Sequence, residues 1–156
     1  MAAEHEALTT LLDGALHHCF SVTKINDHGK SQSRLIALTP TAFYNVKKGL
    51  FKSYRVRRRI PYDLIVGLVR SAEPGELVLK VDSSILNDYH YITPLHAEIT
   101  QALAGLKPAL RVWTLRLDMR TVTRTKYPER NRGLVDVVVM EADRREESKK
   151  KTEMAG

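Results

Sequence analysis

The basic residues of this chain are concentrated in one segment, His28 to Tyr62. The segment contains nine Lys or Arg and no Asp or Glu, whereas the rest of the chain holds sixteen basic and all eighteen acidic residues. The net charge of +7 therefore originates there. The nine residues are Lys30, Arg34, Lys47, Lys48, Lys52, Arg55, Arg57, Arg58 and Arg59. Such a concentration of charge indicates a surface for a polyanion, which is anionic lipid, nucleic acid or an acidic protein.

The end of this segment has the periodicity of a β-strand. Successive side chains of an extended chain point to opposite faces. The alternation places one set on a largely apolar face: Tyr54, Val56, Arg58 and Ile60. The opposite face carries Arg55, Arg57 and Arg59. The sequence therefore predicts a row of Arg along one side of a strand.

The length and composition fit one ordinary domain. A chain of 156 residues with 43% hydrophobic residues can bury a proper core. No stretch reaches the roughly twenty apolar residues that span a bilayer, and the acidic start from Met1 to Asp13 is unlike a signal peptide. We expect a soluble protein in a reducing, intracellular setting. A single cysteine, Cys19, excludes an internal disulfide, and its place on an apolar stripe predicts a buried thiol.

An amphipathic helix is predicted at the start of the chain, from about Glu4 to about His18. Apolar residues recur at helical spacing from Leu8 through Leu12 to Cys19, and the acidic residues lie off that stripe. The helix is expected to pack on the domain or on a partner chain, which includes a second copy in a homodimer. We treat residues 1–19 as this helical segment.

Strands dominate the remainder of the chain. Seven short strands are predicted at 20–25, 34–38, 42–46, 54–60, 64–69, 77–81 and 89–92, separated by turn residues. One helix follows from about Pro94 to Leu106, with Pro at its start and Gly105 near its end. A hairpin is then expected from 112–121 and 134–140 across a loop at 124–133. Residues 143–156 read as a charged, flexible tail.

This order of elements predicts an α+β, mainly β fold. Seven short antiparallel strands followed by one helix are typical of a pleckstrin-homology-like antiparallel barrel that is closed by the helix. We assign residues 20–142 to this domain, which carries the N-terminal helix in front of it and the C-terminal hairpin within it.

Several blocks resemble the tail-homology-one domain of class I myosins, here as a stand-alone chain without a motor. The run from Val22 to Lys30, continued by Arg34 and Leu38-Thr39, is similar to the strand, glycine turn and R-x-L-x-L-T that open that tail. Arg59-Ile60-Pro61-Tyr62, with Ile65 and Ser71, is similar to its R-I-x-Y-x-x-I-x-x-x-x-S segment. The helix and final hairpin follow in the same order.

The resemblance implies binding of acidic phospholipids, including phosphoinositides, by a cytoplasmic protein that is peripheral at membranes or the cytoskeleton. The family's site uses a basic residue near the end of the first strand and a second-strand [K/R]-x-R. Lys24 and Arg34 match two of these positions. The middle position is Gln32, and Lys30 in the same turn could substitute for it. A salt bridge to a neighbouring strand is the alternative role for Arg34.

Other functions have weaker sequence support. The six His lack metal-ligand spacing, Cys19 has no evident base, and no phosphate-binding loop is complete, so we expect neither catalysis nor a cofactor or metal. Nucleic-acid binding is the main competitor, because a pI near 9.6 with Arg-rich strands would suit RNA. A protein-protein adaptor of a cytoskeletal complex, using a groove of the fold for peptides, is a third class.

Overall fold

The structure, a computed structural model, describes residues 2–26, 29–71, 75–82 and 89–115. These ranges contain eight strands and two α-helices. In chain order the elements are α1 (Ala2–Leu11), β1 (His18–Ile25), β2 (Ser31–Leu38), β3 (Ala42–Lys48), β4 (Tyr54–Pro61), β5 (Ile65–Ser71), β6 (Glu76–Val81), β7 (Tyr89–Ile92), α2 (His96–Leu106) and β8 (Arg111–Leu115). All seven strands predicted ahead of the second helix are present. The predicted strand 134–140, the loop 124–133 and the tail 143–156 lie outside the described residues.

The strands form one sheet in the order β4-β3-β2-β1-β7-β6-β5-β8. Neighbours are antiparallel, except that β8 lies parallel to β5. The parallel pair departs from the antiparallel pattern that the sequence predicted. It arises because α2 carries the chain across the sheet after β7, and a parallel strand needs such a crossover.

The sheet is curved and open in the described residues. The Tyr91 hydroxyl of β7 donates to Asn45 Oδ1 of β3 at 3.4 Å, although two strands separate them, so the sheet bends around its concave face. No hydrogen bonds join β4 to β8 across the described ranges. The predicted closed barrel is therefore not confirmed, and the architecture is an α+β, mainly β fold built on one open sheet.

The concave face holds the main core. Side chains from β1 to β7 meet there, and α2 covers one end of the face with Ile99 and Leu103, which are fully buried. Leu106 packs at the margin of the same cluster. The side of α2 that carries these three residues therefore faces the sheet. Trp113 is buried on the other face of the sheet. It pairs with Val69, and its ring lies close to Gly67.

The N-terminal helix covers the convex face of β2, β3 and β4. Leu8 and Leu12 pack there with Leu16 against Ala37 and Tyr44. The apolar side of the helix is thus used within the chain, and nothing in this packing supports a partner chain or a homodimer.

The N-terminal helix also ends earlier than the sequence predicted, at Leu11 rather than near His18. Gly14 adopts a φ of 108°, which breaks the helical course of the chain. Cys19 consequently lies on β1 instead of on a helix, where the strand period turns its thiol outward, so the prediction of a buried thiol was wrong.

Candidate functional site

Two turns lie together at one end of the sheet. The β1–β2 turn follows Ile25, and the β3–β4 turn follows Lys48, and antiparallel pairing places both at the same end. We call this end the turn edge. The predicted basic residues near these turns are brought together there: Lys24, Lys30, Arg34, Lys47, Lys48 and Arg55.

Four of the predicted site residues share the concave face at the turn edge. Lys24 lies opposite Gln32, and Arg34 lies on the same side of β2 as Gln32 because the two are alternate residues of one strand. Lys47 lies opposite Arg55 on the next strand pair, and Lys47 is on the same side of β3 as Asn45, which faces the concave core. Cations from four adjacent strands therefore face one concavity.

Arg34 is the most constrained of these cations. It is half-buried, its Nη1 donates to the Ser33 carbonyl oxygen at 2.8 Å, and its Nε is buried without a hydrogen-bond partner in the described structure. Burial and, secondarily, the nearby Arg57 guanidinium lower the pKa of Arg34. The proposed salt bridge to a neighbouring strand is not formed with any residue that the structure describes. A guanidinium remains protonated at neutral pH, so Arg34 carries a positive charge that no described carboxylate neutralises.

Two tyrosines line the concavity beside these cations. The Lys24 ammonium lies 5.5 Å from the Tyr89 ring centroid, and Tyr89 stacks on Tyr91 with centroids 6.3 Å apart. Arg58 Nε donates to the Tyr89 hydroxyl at 3.3 Å. Tyr91 is fully buried, and burial raises its pKa well above the ordinary value. The Tyr89 ring thus gives the Lys24 ammonium a cation–π contact on the concave side.

A β-bulge changes which Arg residues of β4 share a face. Asn45 pairs with Arg58 but Val46 pairs with Val56, so Arg57 is an extra residue without a partner on β3. The alternation reverses at this point. Arg55 and Arg58 consequently lie on the concave side, and the prediction that Arg55, Arg57 and Arg59 form one row was wrong.

Arg59 lies on the convex side, where its guanidinium contacts Asp13 and Tyr44. Its Nε lies 3.4 Å from Asp13 Oδ2 and donates to the Tyr44 hydroxyl at 3.2 Å, and its guanidinium lies 6.0 Å from the Tyr44 ring centroid. The acidic partner comes from the N-terminal segment, outside the acid-free stretch. Arg59 therefore differs from the other predicted site residues, because its charge is already paired.

Lys48 lies on the convex side of the turn edge, where hydroxyl groups accompany it. Its ammonium is 5.9 Å from the Tyr54 ring centroid. It borders a hollow of about 380 Å³ whose other lining residues include Ser21, Thr23 and Ser33. Sequence reasoning counted Arg58 in the basic segment but placed it on the largely apolar face, and it missed these hydroxyls. Ser and Thr at alternate positions of two paired strands were the signal that could have found them.

The remaining predicted site residues are less constrained. Lys30 is exposed in the β1–β2 turn, where its backbone amide donates to Asn26 Oδ1 at 2.9 Å. The side chain of Lys52 is outside what the structure describes. Four further cations form no ion pair with a described carboxylate: Lys47, Lys48, Arg55 and the exposed bulge residue Arg57. The surface therefore combines several unpaired cations.

The described residues include one buried pair of potential metal ligands, His90 and Glu76. His90 Nε2 lies 2.9 Å from Glu76 Oε2 in a buried pair, but the described ranges contain no group of three or more His, Cys, Asp or Glu that could hold a metal ion. Neither described helix has the length and apolar character needed to cross a membrane.

Comparisons with known proteins define the class of fold. No protein-family model matches the chain, and no curated protein is similar to it in sequence. Among solved structures, it is similar to the hSac2 domain from the human phosphoinositide phosphatase Sac2, with a TM-score of 0.56 and 13% identity over 74% of this chain and 88% of that domain. It is also similar to the C-terminal domain of an unknown protein from Leishmania infantum, with a TM-score of 0.50 and 12% identity over 67% and 94%.

A third structure is the Slm1-PH domain in complex with phosphoserine, with a TM-score of 0.47 and 10% identity over 62% of this chain and 97% of that one. The seven antiparallel strands followed by α2 keep the order of elements of the pleckstrin-homology-like fold that the sequence predicted. The finer resemblance to the myosin tail finds no support in these comparisons.

Proposed function

We propose that this chain is a peripheral membrane-binding module that recognises acidic phospholipids, with phosphoinositides as the preferred headgroups. It acts as a targeting or adaptor subunit and not as an enzyme. The observation that carries the proposal is the turn edge, where Arg34, Lys47 and Arg55 face one concavity without an acidic partner among the described residues. Their unpaired charge attracts phosphate and carboxylate groups of a membrane surface.

The geometry favours a lipid surface over RNA. Proteins that bind single-stranded RNA stack its bases on exposed aromatic side chains. In the described residues the tyrosines are buried or half-buried, and Tyr44 and Tyr54 lie on the convex side against Arg59 and Lys48. Phe51 is the one exposed Phe, Tyr or Trp there, and it lies at the tip of a turn, so these side chains form no platform for successive bases.

The expected affinity of the basic surface alone is low. Each Lys or Arg near an anionic membrane contributes about 1 kcal/mol, so four or five of them give about 4 to 5 kcal/mol. This corresponds to a dissociation constant of about a millimolar. A headgroup bound beside Lys24 and Arg34, or another contact with the bilayer, must supply the rest. The fold neighbour with the highest TM-score given above comes from a phosphoinositide phosphatase, which supports the proposal of phosphoinositides as the preferred headgroups.

The proposal is tested by competition between membranes and RNA. The full chain is co-sedimented at physiological salt with vesicles of phosphatidylcholine and phosphatidylserine, with and without RNA at equal phosphate concentration. We expect binding to persist in the presence of RNA and to fall with added salt, because surface charges are screened. Complete displacement from the vesicles by RNA would favour a nucleic-acid-binding protein, and binding to neither would favour the protein adaptor.

A further inference from the structure

The β3–β4 turn presents two large apolar side chains to solvent. Leu50 is 82% exposed and Phe51 is 99% exposed. Only Leu11 and Val66 are other exposed large apolar residues in the described ranges, and each is about half covered. An isolated exposed apolar residue is ordinary in a soluble protein, but two adjacent ones at the tip of a turn form a distinct apolar projection. We call Leu50 and Phe51 the apolar tip.

The turn holds the apolar tip in a defined conformation. The Gly49 amide donates to the Ser53 carbonyl oxygen at 2.7 Å, and the Ser53 amide and hydroxyl donate to the Leu50 carbonyl oxygen at 3.3 and 2.8 Å. Phe51 sits at φ 58° and ψ 40°, the left-handed region. That region is unfavourable for a residue with a bulky side chain and favours Gly or Asn. Phe51 gains no packing in return, so a stabilising role within the fold does not explain it.

Positive charge surrounds the apolar tip on the strands that carry it. Lys47 pairs across the hairpin with Arg55, and Lys48 pairs with Tyr54, so three cations lie immediately behind the tip. The β1–β2 turn with Lys30 lies at the same edge of the sheet. The apolar tip with cations behind it matches the layers of a membrane surface, where acyl chains lie beneath anionic headgroups.

We infer that the apolar tip inserts Leu50 and Phe51 into the bilayer while the cations behind it contact the headgroups. This inference rests on the proposed function and supplies the second contact that the weak basic surface requires. The partner is a lipid bilayer, because a bilayer offers an apolar layer directly beneath a surface of anionic groups, in the same order as the tip and the cations behind it. Insertion to about 5 to 10 Å would place both side chains at the boundary between headgroups and acyl chains.

Insertion is measured with a tryptophan at the tip. The chain has one native tryptophan, Trp113, which is buried and gives a constant background. In the variant Phe51→Trp, vesicles containing phosphatidylserine and lipids brominated near the headgroup should shift the emission to the blue and quench it. The control variant Val66→Trp places the probe at a 45% exposed site on β5, which four strands of the sheet separate from the β3–β4 hairpin. Its quenching should stay near that of the parent protein.

Binding variants separate insertion from electrostatic attraction. Leu50→Ser with Phe51→Asn should keep the thermal stability of the parent or raise it, because Asn tolerates the left-handed conformation. The same double variant should weaken vesicle binding about tenfold at physiological salt. In about 1 M NaCl, where the Debye length is about 3 Å, any binding that the parent retains should disappear in the variant.

The outcomes distinguish the two proposals. If the parent binds acidic vesicles but the Phe51→Trp variant is quenched no more than the Val66→Trp variant, the insertion is refuted and the electrostatic binding stands. If the double variant binds as tightly as the parent, the insertion is likewise refuted. If the parent fails to bind acidic vesicles, both proposals are wrong.

Discussion

Asp13 and Arg59 connect the N-terminal segment to the basic strand, with Asp13 Oδ2 lying 3.4 Å from Arg59 Nε. The contact crosses the convex face, where Arg59 also donates to the Tyr44 hydroxyl. Arg55, four residues earlier on the same strand, lies on the opposite side of the sheet and forms no ion pair with a described residue. Two arginines of one strand thus have different roles.

This difference predicts unequal effects of two matched variants. Arg55→Ala should weaken binding to phosphatidylserine vesicles about fivefold, because one cation near the surface contributes about 1 kcal/mol. Arg59→Ala should change vesicle binding less and should lower the stability by up to about 1 kcal/mol, the range of a solvent-exposed pair. Co-sedimentation and urea unfolding measure the two effects. A larger loss of binding in Arg59→Ala would contradict the assignment of the two faces.

The concave site should discriminate between headgroups. Changing Lys24 and Arg34 to Ala together should weaken binding to phosphatidylserine vesicles by no more than the loss of two surface cations, about 1 kcal/mol each, but it should weaken binding to phosphoinositide vesicles more strongly. The reason is that a multiply charged headgroup can reach the unpaired Arg34, whereas diffuse attraction uses the whole surface. Titration with both vesicle types measures the ratio. An equal loss on both lipids would leave only a non-specific basic surface.

The order of the strands was predictable because each strand carries its own local signal. The brief strand at Tyr89–Ile92 was predicted with the bounds that the structure has, since its residues favour extended chain. The bulge at Arg57 was not predictable, because every residue near it suits a strand. Only the pairing of β4 with β3 shows that Arg57 has no partner residue on β3. The error in the face of Arg59 follows from this one-residue shift.

Long-range contacts account for the remaining differences. The parallel pairing of β8 with β5 depends on where α2 returns the chain, and no local pattern encodes that. The apolar residues Leu8, Leu12 and Leu16 lie against one surface, as a helical stripe would. Gly14 turns the chain between them, so Cys19 lies on β1 and not on the predicted helix. In the site, Lys24 and Arg34 could be named from the motif, whereas Tyr89 and Arg58 are brought beside them by the curvature of the sheet.

Gly67 is predicted to be essential for the docking of β8. A Cβ at this position would lie 2.5 Å from the Trp113 ring and 2.7 Å from the Arg111 carbonyl oxygen, so Gly67→Ala must displace the strand. We expect a loss of about 1 to 3 kcal/mol in the free energy of unfolding and a change in Trp113 fluorescence. Gly105→Ala is the control, because its Cβ meets nothing within 4 Å in the α2 helix and should stabilise by up to about 1 kcal/mol. Equal stability of the two variants would contradict the packing.

Alkaline pH should weaken the fold through Tyr62. Burial, and secondarily Tyr44, raises the pKa of Tyr62 to about 12, above the value of about 10 expected for the unfolded chain. The protonated phenol is therefore favoured in the native state, and its contribution to stability is complete below about pH 10 and declines as the pH rises towards 12. The variant Tyr62→Phe should lose less stability than the parent over this interval in denaturant titrations. Parallel curves for the two proteins would contradict the assignment.

The central claim is that the placement of charge at the turn edge causes binding to acidic membranes. The most direct measurement compares two charge-reversal variants that change the net charge equally. One is Lys47→Glu, Lys48→Glu and Arg55→Glu at the turn edge, and the other is Lys149→Glu, Lys150→Glu and Lys151→Glu near the C-terminus. Both are titrated at physiological salt with phosphatidylserine vesicles after circular dichroism has shown an intact fold. We expect the first variant to lose most of its binding and the second to bind nearly as the parent does. Undiminished binding by the first variant, or an equal loss in both, would contradict the claim.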